Sequence, residues 1–292
     1  MPLKNLTSVA ESQIDAAAMD DIVKSISIPP RPVIVQQMQT EMGKADPDVR
    51  KAAHIVSQDV GLTVAVLKTV NSPLYGLSRK AESVEQAVNL IGIKQLSGLV
   101  TAIALRTAMR GGSETLSNFY DLSSKRAYAL ARLAKQLKNV DPQQAQTFGL
   151  FCDVAIPLLI ARFPTYLDTL ALAHTEMERS FTEVEHANHH TDHALIGAIM
   201  AKSWGLPHNI SLAIRLHHDY AIFLDPKVPR DIGAMVAMGL LAEVAIHRHS
   251  GLGLSAEWAK GGDYVAGALV LAPTDIEELL DQLVEDFTSG VD

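Results

Sequence analysis

The sequence predicts an all-α protein, a multi-helix bundle in two lobes, and three observations predict it. Aromatic residues make up 5% of the 292 positions while hydrophobic residues make up 48%. The core must therefore come from Leu, Ile, Val, Ala and Met, a palette that suits helices better than a β-sandwich. No segment alternates apolar and polar residues with the period of two that a half-buried strand needs, and apolar residues recur instead at helical spacing between short punctuated turns.

Taken in order, Ile28-Pro29-Pro30-Arg31-Pro32 is a stiff extended lead-in, because each proline fixes its own φ and disfavours helix in the residue before it. A helix follows from about Val33 to Met42. Asp46-Pro47 reads as a cap and first-turn proline for a helix through Ile55 and Val56. Asp59 caps the next, whose apolar residues Leu62, Val66, Leu67 and Val70 keep helical spacing. Asn71 is expected as a left-handed C-terminal cap, and Ser72-Pro73 as a new cap and first turn. Ser83 with Gln86 fits a capping box, and Gly92 separates that helix from an apolar one over Lys94 to Met109.

Gly111-Gly112-Ser113 is the clearest internal break. Beyond it, helices are expected around Phe119 to Leu137, Pro142 to Phe163, Tyr166 to Glu178, Phe181 to Ala187, Asp192 to Trp204 and Pro207 to His217. Asp219 to Pro229 is loop-like, and further helices lie near Asp231 to His249 and Thr274 to Phe287.

A net charge of -8 argues against nucleic acid as a partner, since phosphate recognition needs a basic face. Ser83 to Met109 has a helix-turn-helix rhythm around Gly92, but its second helix, with Leu96, Leu99, Val100, Ile103, Ala104 and Leu105, is too apolar for a DNA groove. From Ser255 to Asp292 nine acidic residues face the single Lys260, a pattern read as a solvated helix face. Cys152 is the only cysteine, which excludes an internal disulfide and fits a reducing cytosol. Met1 to Lys24 has no signal-peptide core, and no uninterrupted apolar run approaches the roughly 20 residues of a membrane helix. A cytoplasmic protein without a membrane partner is expected.

Several segments, read together, resemble the HDOD family. They are Ile28 to Pro32, Ser57-Gln58-Asp59-Val60-Gly61-Leu62-Thr63, Val70-Asn71-Ser72-Pro73-Leu74-Tyr75-Gly76 and Ser83 to Gly92, then Asp192-His193-Ala194-Leu195-Ile196-Gly197-Ala198, Trp204-Gly205-Leu206-Pro207 and Ala213-Ile214-Arg215-Leu216-His217-His218. The resemblance covers about Asp20 to Asp219. It implies a helical lobe over about 20–110 and a core like that of HD phosphohydrolases over about 113–219, with an N-terminal extension over 1–19. Residues 220–292 would form a C-terminal helical extension packing on the HD-like lobe. It also implies a bacterial signalling module that binds partners in place of metal-dependent turnover.

A working HD centre needs imidazoles and carboxylates converging on one or two metals that activate water. The resemblance puts Leu122 where the first histidine would stand and Cys152 in place of the histidine of the His-Asp pair, while Asp153 survives. For the terminal carboxylate, Met238 to Ala242 offers none and Glu243 falls out of step. Asp153, His193, His217 and His218 are then the candidates for a remnant metal site. Such a set suits Fe, Mn, Ni or Zn, although the function implied requires no cofactor. Beside that reading stands a structural one, in which His193 packs at a helix start, Asp153 pairs locally and His217-His218 end a helix.

His186, His189, His190 and His193 crowd into eight residues and contain two pairs four apart. His190 falls where a turn is expected and tolerates positive φ better than most residues, so a surface cluster is the reading adopted. Three functions follow for testing. They are a non-enzymatic module whose partners are signalling proteins or a nucleotide second messenger, a residual metal-dependent phosphohydrolase, and a DNA-contacting regulator.

Overall fold

The computed structural model describes residues 6–17, 21–72, 75, 77, 79–109 and 114–290, and they contain helices and turns with no strand among them. Pro73, Gly76 and the Gly111-Gly112-Ser113 break lie outside the described residues. The helices are α1 (Leu6–Ala17), α2 (Asp21–Lys24), α3 (Val33–Met42), α4 (Val49–Ser57), α5 (Val60–Val70), α6 (Val84–Ile91), α7 (Ile93–Ala108), α8 (Glu114–Leu137) and α9 (Pro142–Phe151). There follow α10 (Ile156–Arg162), α11 (Tyr166–Ala173), α12 (Phe181–His189), α13 (His193–Ser203), α14 (His208–Leu216), α15 (Arg230–His249), α16 (Ala256–Gly261), α17 (Val265–Leu269) and α18 (Pro273–Gly290). The chain divides into two compact units, residues 29–121 with 285–292 and residues 1–28 with 122–284.

In the smaller unit α3 to α7 enclose a core that includes Met38, Val56, Val66, Val70, Leu96 and Val100. The apolar residues of α7, among them Leu96, Leu99, Val100, Ala104 and Leu105, are buried as core. α6 and α7 meet at Gly92 with a bend of 119°. α4 starts later than Asp46-Pro47 suggested, because Asp48 accepts from the backbone N–H groups of Arg50 and Lys51 and is the true cap. The left-handed cap expected at Asn71 does not form, since its φ is −83°. Its amide instead donates to the carbonyl of Ala81 at 2.9 Å and accepts from the N–H of Ala81 at 2.7 Å, tying the end of α5 to Ala81.

In the larger unit the helix expected over Pro142 to Phe163 breaks into α9 and α10, and the turn between them carries Cys152 and Asp153. Taken as one stretch, Pro142–Arg162 is long and apolar enough to cross a membrane by length and composition, although Gln143, Gln144, Gln146 and Asp153 interrupt it, and 61% of its most apolar window is buried inside the protein. Its apolarity is thus largely core: Phe148, Phe151 and Leu159 are fully buried. α9 lies almost against the backbone of α8, because a Cβ on Gly149 would sit 2.8 Å from Ala127 Cα. Gly149→Ala is therefore expected to lower stability by about 1–3 kcal/mol through overpacking. A glycine in a free helix interior would gain about 1 kcal/mol from the same change. The sign of the shift in a denaturant melt separates the two.

α1, α2, α16 and α17 were not legible as helices. α16 and α17 are short and interspersed with Gly261, Gly262 and Gly267, so no apolar period develops in them.

Candidate metal centre

Three local features bring the candidate ligands into one place. His190 ends α12 with φ of 57°, the left-handed turn foreseen for it, and Asp192 then caps α13 by accepting from Leu195 N at 2.8 Å. His193, the first residue of α13, is thereby driven into the interior and is 0% exposed. α14 packs along α13 and ends at Leu216, so His217 and His218 emerge beside it. The break after α9 turns Asp153 towards the same point.

Asp153 Oδ1 lies 3.5 Å from His193 Nε2 and 3.4 Å from His217 Nε2, and the two Nε2 atoms are 3.2 Å apart. With His218, four ligand atoms lie within 4.8 Å of one another. Donors sharing one ion at about 2.0–2.1 Å stand about 3.0–3.4 Å apart, so most of the set is already at ligand spacing.

The far sides of the rings are also fixed. His193 Nδ1 faces Glu185 Oε2 at 2.7 Å, His217 Nδ1 donates to the carbonyl of Ile214 at 2.7 Å, and His218 Nδ1 faces Glu257 Oε2 at 2.5 Å. Tyr166 OH donates to Glu185 and Tyr220 OH to Glu257, so two Tyr–Glu–His relays converge on the cluster. Phe181 stacks on His218 at 4.8 Å and meets His193 edge-on at 5.4 Å. Holding Nδ1 while leaving Nε2 free is how outer groups orient imidazole ligands. The residues therefore fit a single transition metal, which Asp153, His193, His217 and His218 would hold.

Burial opposes the charged form of His193, but Glu185 and Asp153 raise it to about 9. Its Nε2 lies between Asp153 Oδ1 and His217 Nε2. Burial and the neighbouring His217 depress His218 to about 4, leaving it neutral. Burial works against ionised Asp153, yet the Arg126 guanidinium holds its carboxyl well below the usual range.

Arg126 is the departure from expectation. Leu122 was placed at the centre by the resemblance, but it is 44% exposed. The side chain that α8 sends in is Arg126, one turn further on. Its Nη1 donates to Asp153 Oδ2 at 2.5 Å and to Cys152 Sγ at 3.1 Å. Glu243, which seemed out of step, lies half-buried on α15 and interacts electrostatically with this guanidinium. Cys152 is 3% exposed, and burial pushes its thiol up to about 12, so it is a protonated thiol at neutral pH.

His189 does not join His193. It turns to Thr169 Oγ1 at 2.9 Å and packs against Phe163 and Tyr166. Arg126, Glu185, Glu257 and the two tyrosines were all missed by sequence reading. For Arg126 a signal existed, its position one helical turn from the presumed ligand; for the others none did, because their partners are distant in sequence.

Comparison with known proteins places these features in context. Residues 28–220 match the model of the HDOD domain family. The fold is similar to an HDOD domain protein with unknown function from Geobacter sulfurreducens, with TM-score 0.69 and 21% identity over 97% of this chain and 94% of that one. It is also similar to a "Putative phosphohydrolase" from Shewanella amazonensis SB2B, with TM-score 0.70 and 21% identity over 94% and 97% of the two chains. A "Putative signal transduction protein" from Marinobacter aquaeolei VT8 gives TM-score 0.73 and 18% identity over 99% of this chain and 65% of that one. In sequence the chain is 23% identical over 235 residues to an uncharacterized protein of Treponema pallidum, covering 79% of this chain and 44% of the relative. It also matches the uncharacterized protein YuxH of Bacillus subtilis, 24% identical over 115 residues and 28% of that relative. The chain thus spans less than half the length of the curated relatives it matches. A match over residues 28–220, together with a helical fold shared along almost the whole chain, makes the conclusion plain: the chain belongs to the HDOD domain family.

Proposed function

We propose that this chain is a bacterial, cytoplasmic signal-transduction module that works by binding, with signalling or regulatory proteins as partners. A nucleotide second messenger is the small ligand consistent with this reading. Its centre holds one transition metal ion and does not turn over phosphoesters. The observation that carries the proposal is Arg126. Its guanidinium sits on Asp153 Oδ2 and Cys152 Sγ, with Glu243 as a further electrostatic partner, so a fixed cation occupies the acidic side of the cluster. A second metal ion there would meet that charge at close range, and activation of water between two metals has no second partner.

The intact outer groups on His193, His217 and His218 favour a second reading, a residual metal-dependent phosphohydrolase that uses one ion. The ion would act as a Lewis acid on a phosphoryl oxygen, while Asp153 and the three histidines would orient it. Turnover of nucleotides and phosphodiesters with Mn2+, Fe2+, Ni2+ or Mg2+ decides between them. The expected result is hydrolysis no faster than that of the Asp153→Ala variant. Robust turnover that disappears in Asp153→Ala establishes the second reading instead. Capture of partners from the native host, with wild type against a surface-charge variant, identifies the proteins that are read.

A further inference from the structure

Glu257, which orients His218, lies on α16, outside the residues that match the family model. α16 has six residues and cannot hold itself as a helix in water, so its docking depends on what it touches. Three contacts tie it down. Glu257 is 4% exposed and accepts from Tyr220 OH at 2.5 Å as well as facing His218. Lys260 Nζ lies 2.5 Å from Glu257 Oε1 and donates to the carbonyl of Arg179, just before α12. Gly261 lies so close to Tyr220 and Leu240 that a Cβ there would meet the Tyr220 ring at 2.8 Å and Leu240 Cδ1 at 2.9 Å.

We propose that α16 is a docking element coupled to the metal centre, so that metal binding tightens its seating and its release weakens metal binding. The coupling runs through one hydrogen bond. A cation on Nε2 of His218 withdraws charge from the ring and makes its Nδ1–H a stronger donor to Glu257. Glu257 in turn makes Nε2 a better ligand. By linkage the two effects have the same size. An event that lifts α16, such as a partner taking its surface, would thereby be reported at the centre. This rests on the single-metal reading above and adds a route by which the site is controlled.

The test uses the full chain and Zn2+ in competition with a chromogenic chelator. Glu257→Gln keeps the shape and removes the charge, while Gly261→Ala disturbs docking without touching a ligand or its acceptor. Each is expected to weaken Zn2+ binding by about 10- to 100-fold, the usual effect of losing an outer partner. Hydrogen exchange over residues 255–262 of wild type is expected to slow when Zn2+ is added, a measurement that needs no variant to fold. Unchanged exchange over 255–262 in protein shown to bind Zn2+, or wild-type affinity in both variants, overturns the coupling and leaves the metal reading in place. If wild type takes up no more Zn2+ than His193→Ala/His217→Ala, the metal reading falls and the coupling falls with it.

Discussion

Replacing Arg126 with alanine is expected to lower stability measured in chelator by up to about 3–5 kcal/mol, because it removes one partner of a largely buried ion pair and strands the other. Arg126 and Asp153 are each 17% exposed in their side chains and meet at 2.5 Å. Burial already raises the pKa of Glu243, and loss of the nearby guanidinium removes a cation that favours its charged form. Addition of Mn2+, Ni2+ or Zn2+ is then expected to recover part of the loss and to raise bound metal from one equivalent towards two. Asp153 Oδ2 and Glu243 are the groups released to receive it, and Cys152 joins them where the ion displaces its proton. Arg126→Lys keeps a cation and is expected to stay at one equivalent. Denaturant melts with and without metal, alongside elemental analysis, give both numbers. A loss under about 1 kcal/mol with unchanged metal content would mean that the guanidinium is an ordinary exposed-pair group and not a resident cation.

The same residue marks where sequence reading stopped. Helix identity was largely legible, because capping residues such as Asp59 and Ser83 act on backbone groups a few positions away. His190 could be read as a turn for the same local reason. Asp153, His193, His217 and His218 were named from motif order, and the structure gathers them within 4.8 Å. The groups that set their chemistry were not legible. Arg126 is separated from Asp153 by 27 positions and Glu257 from His218 by 39, and nothing in either local sequence announces the partner. The break between α9 and α10 was missed because Phe148 to Ile160 is apolar throughout its buried face, and an apolar run does not reveal a turn within it. Leu122 was misplaced because the alignment fixed a helix but not which of its turns faces inward.

A second large effect is expected from pH. In chelator, wild-type stability should fall as pH rises from about 6.5 to about 9, and Glu185→Gln should flatten that fall. The folded value of His193 is raised from 6.5 to about 9, so its contribution is full below 6.5 and lost as pH climbs through 9. That rise corresponds to roughly 3 kcal/mol. Glu185, its buried partner, is depressed below its ordinary 4.5, so the same ion pair is also lost as pH falls through the carboxylate range. The two limbs describe one interaction, and stability from this pair peaks between about 4.5 and 6.5. Glu185→Gln removes the nearest carboxylate that opposes burial and leaves Asp153 and Asp192, so the folded value of His193 falls and its alkaline limb shrinks, at the expense of weaker bonds to Tyr166 OH and His193. Metal binding should show the mirror image. A metal on His193 Nε2 displaces a proton, so apparent affinity is expected to rise about tenfold per pH unit up to about 9 in wild type. In Glu185→Gln affinity should be lower, because the ligand is less well held, and should level off at a lower pH than in wild type. An alkaline limb of undiminished size in Glu185→Gln would show that a group other than the His193–Glu185 pair carries it.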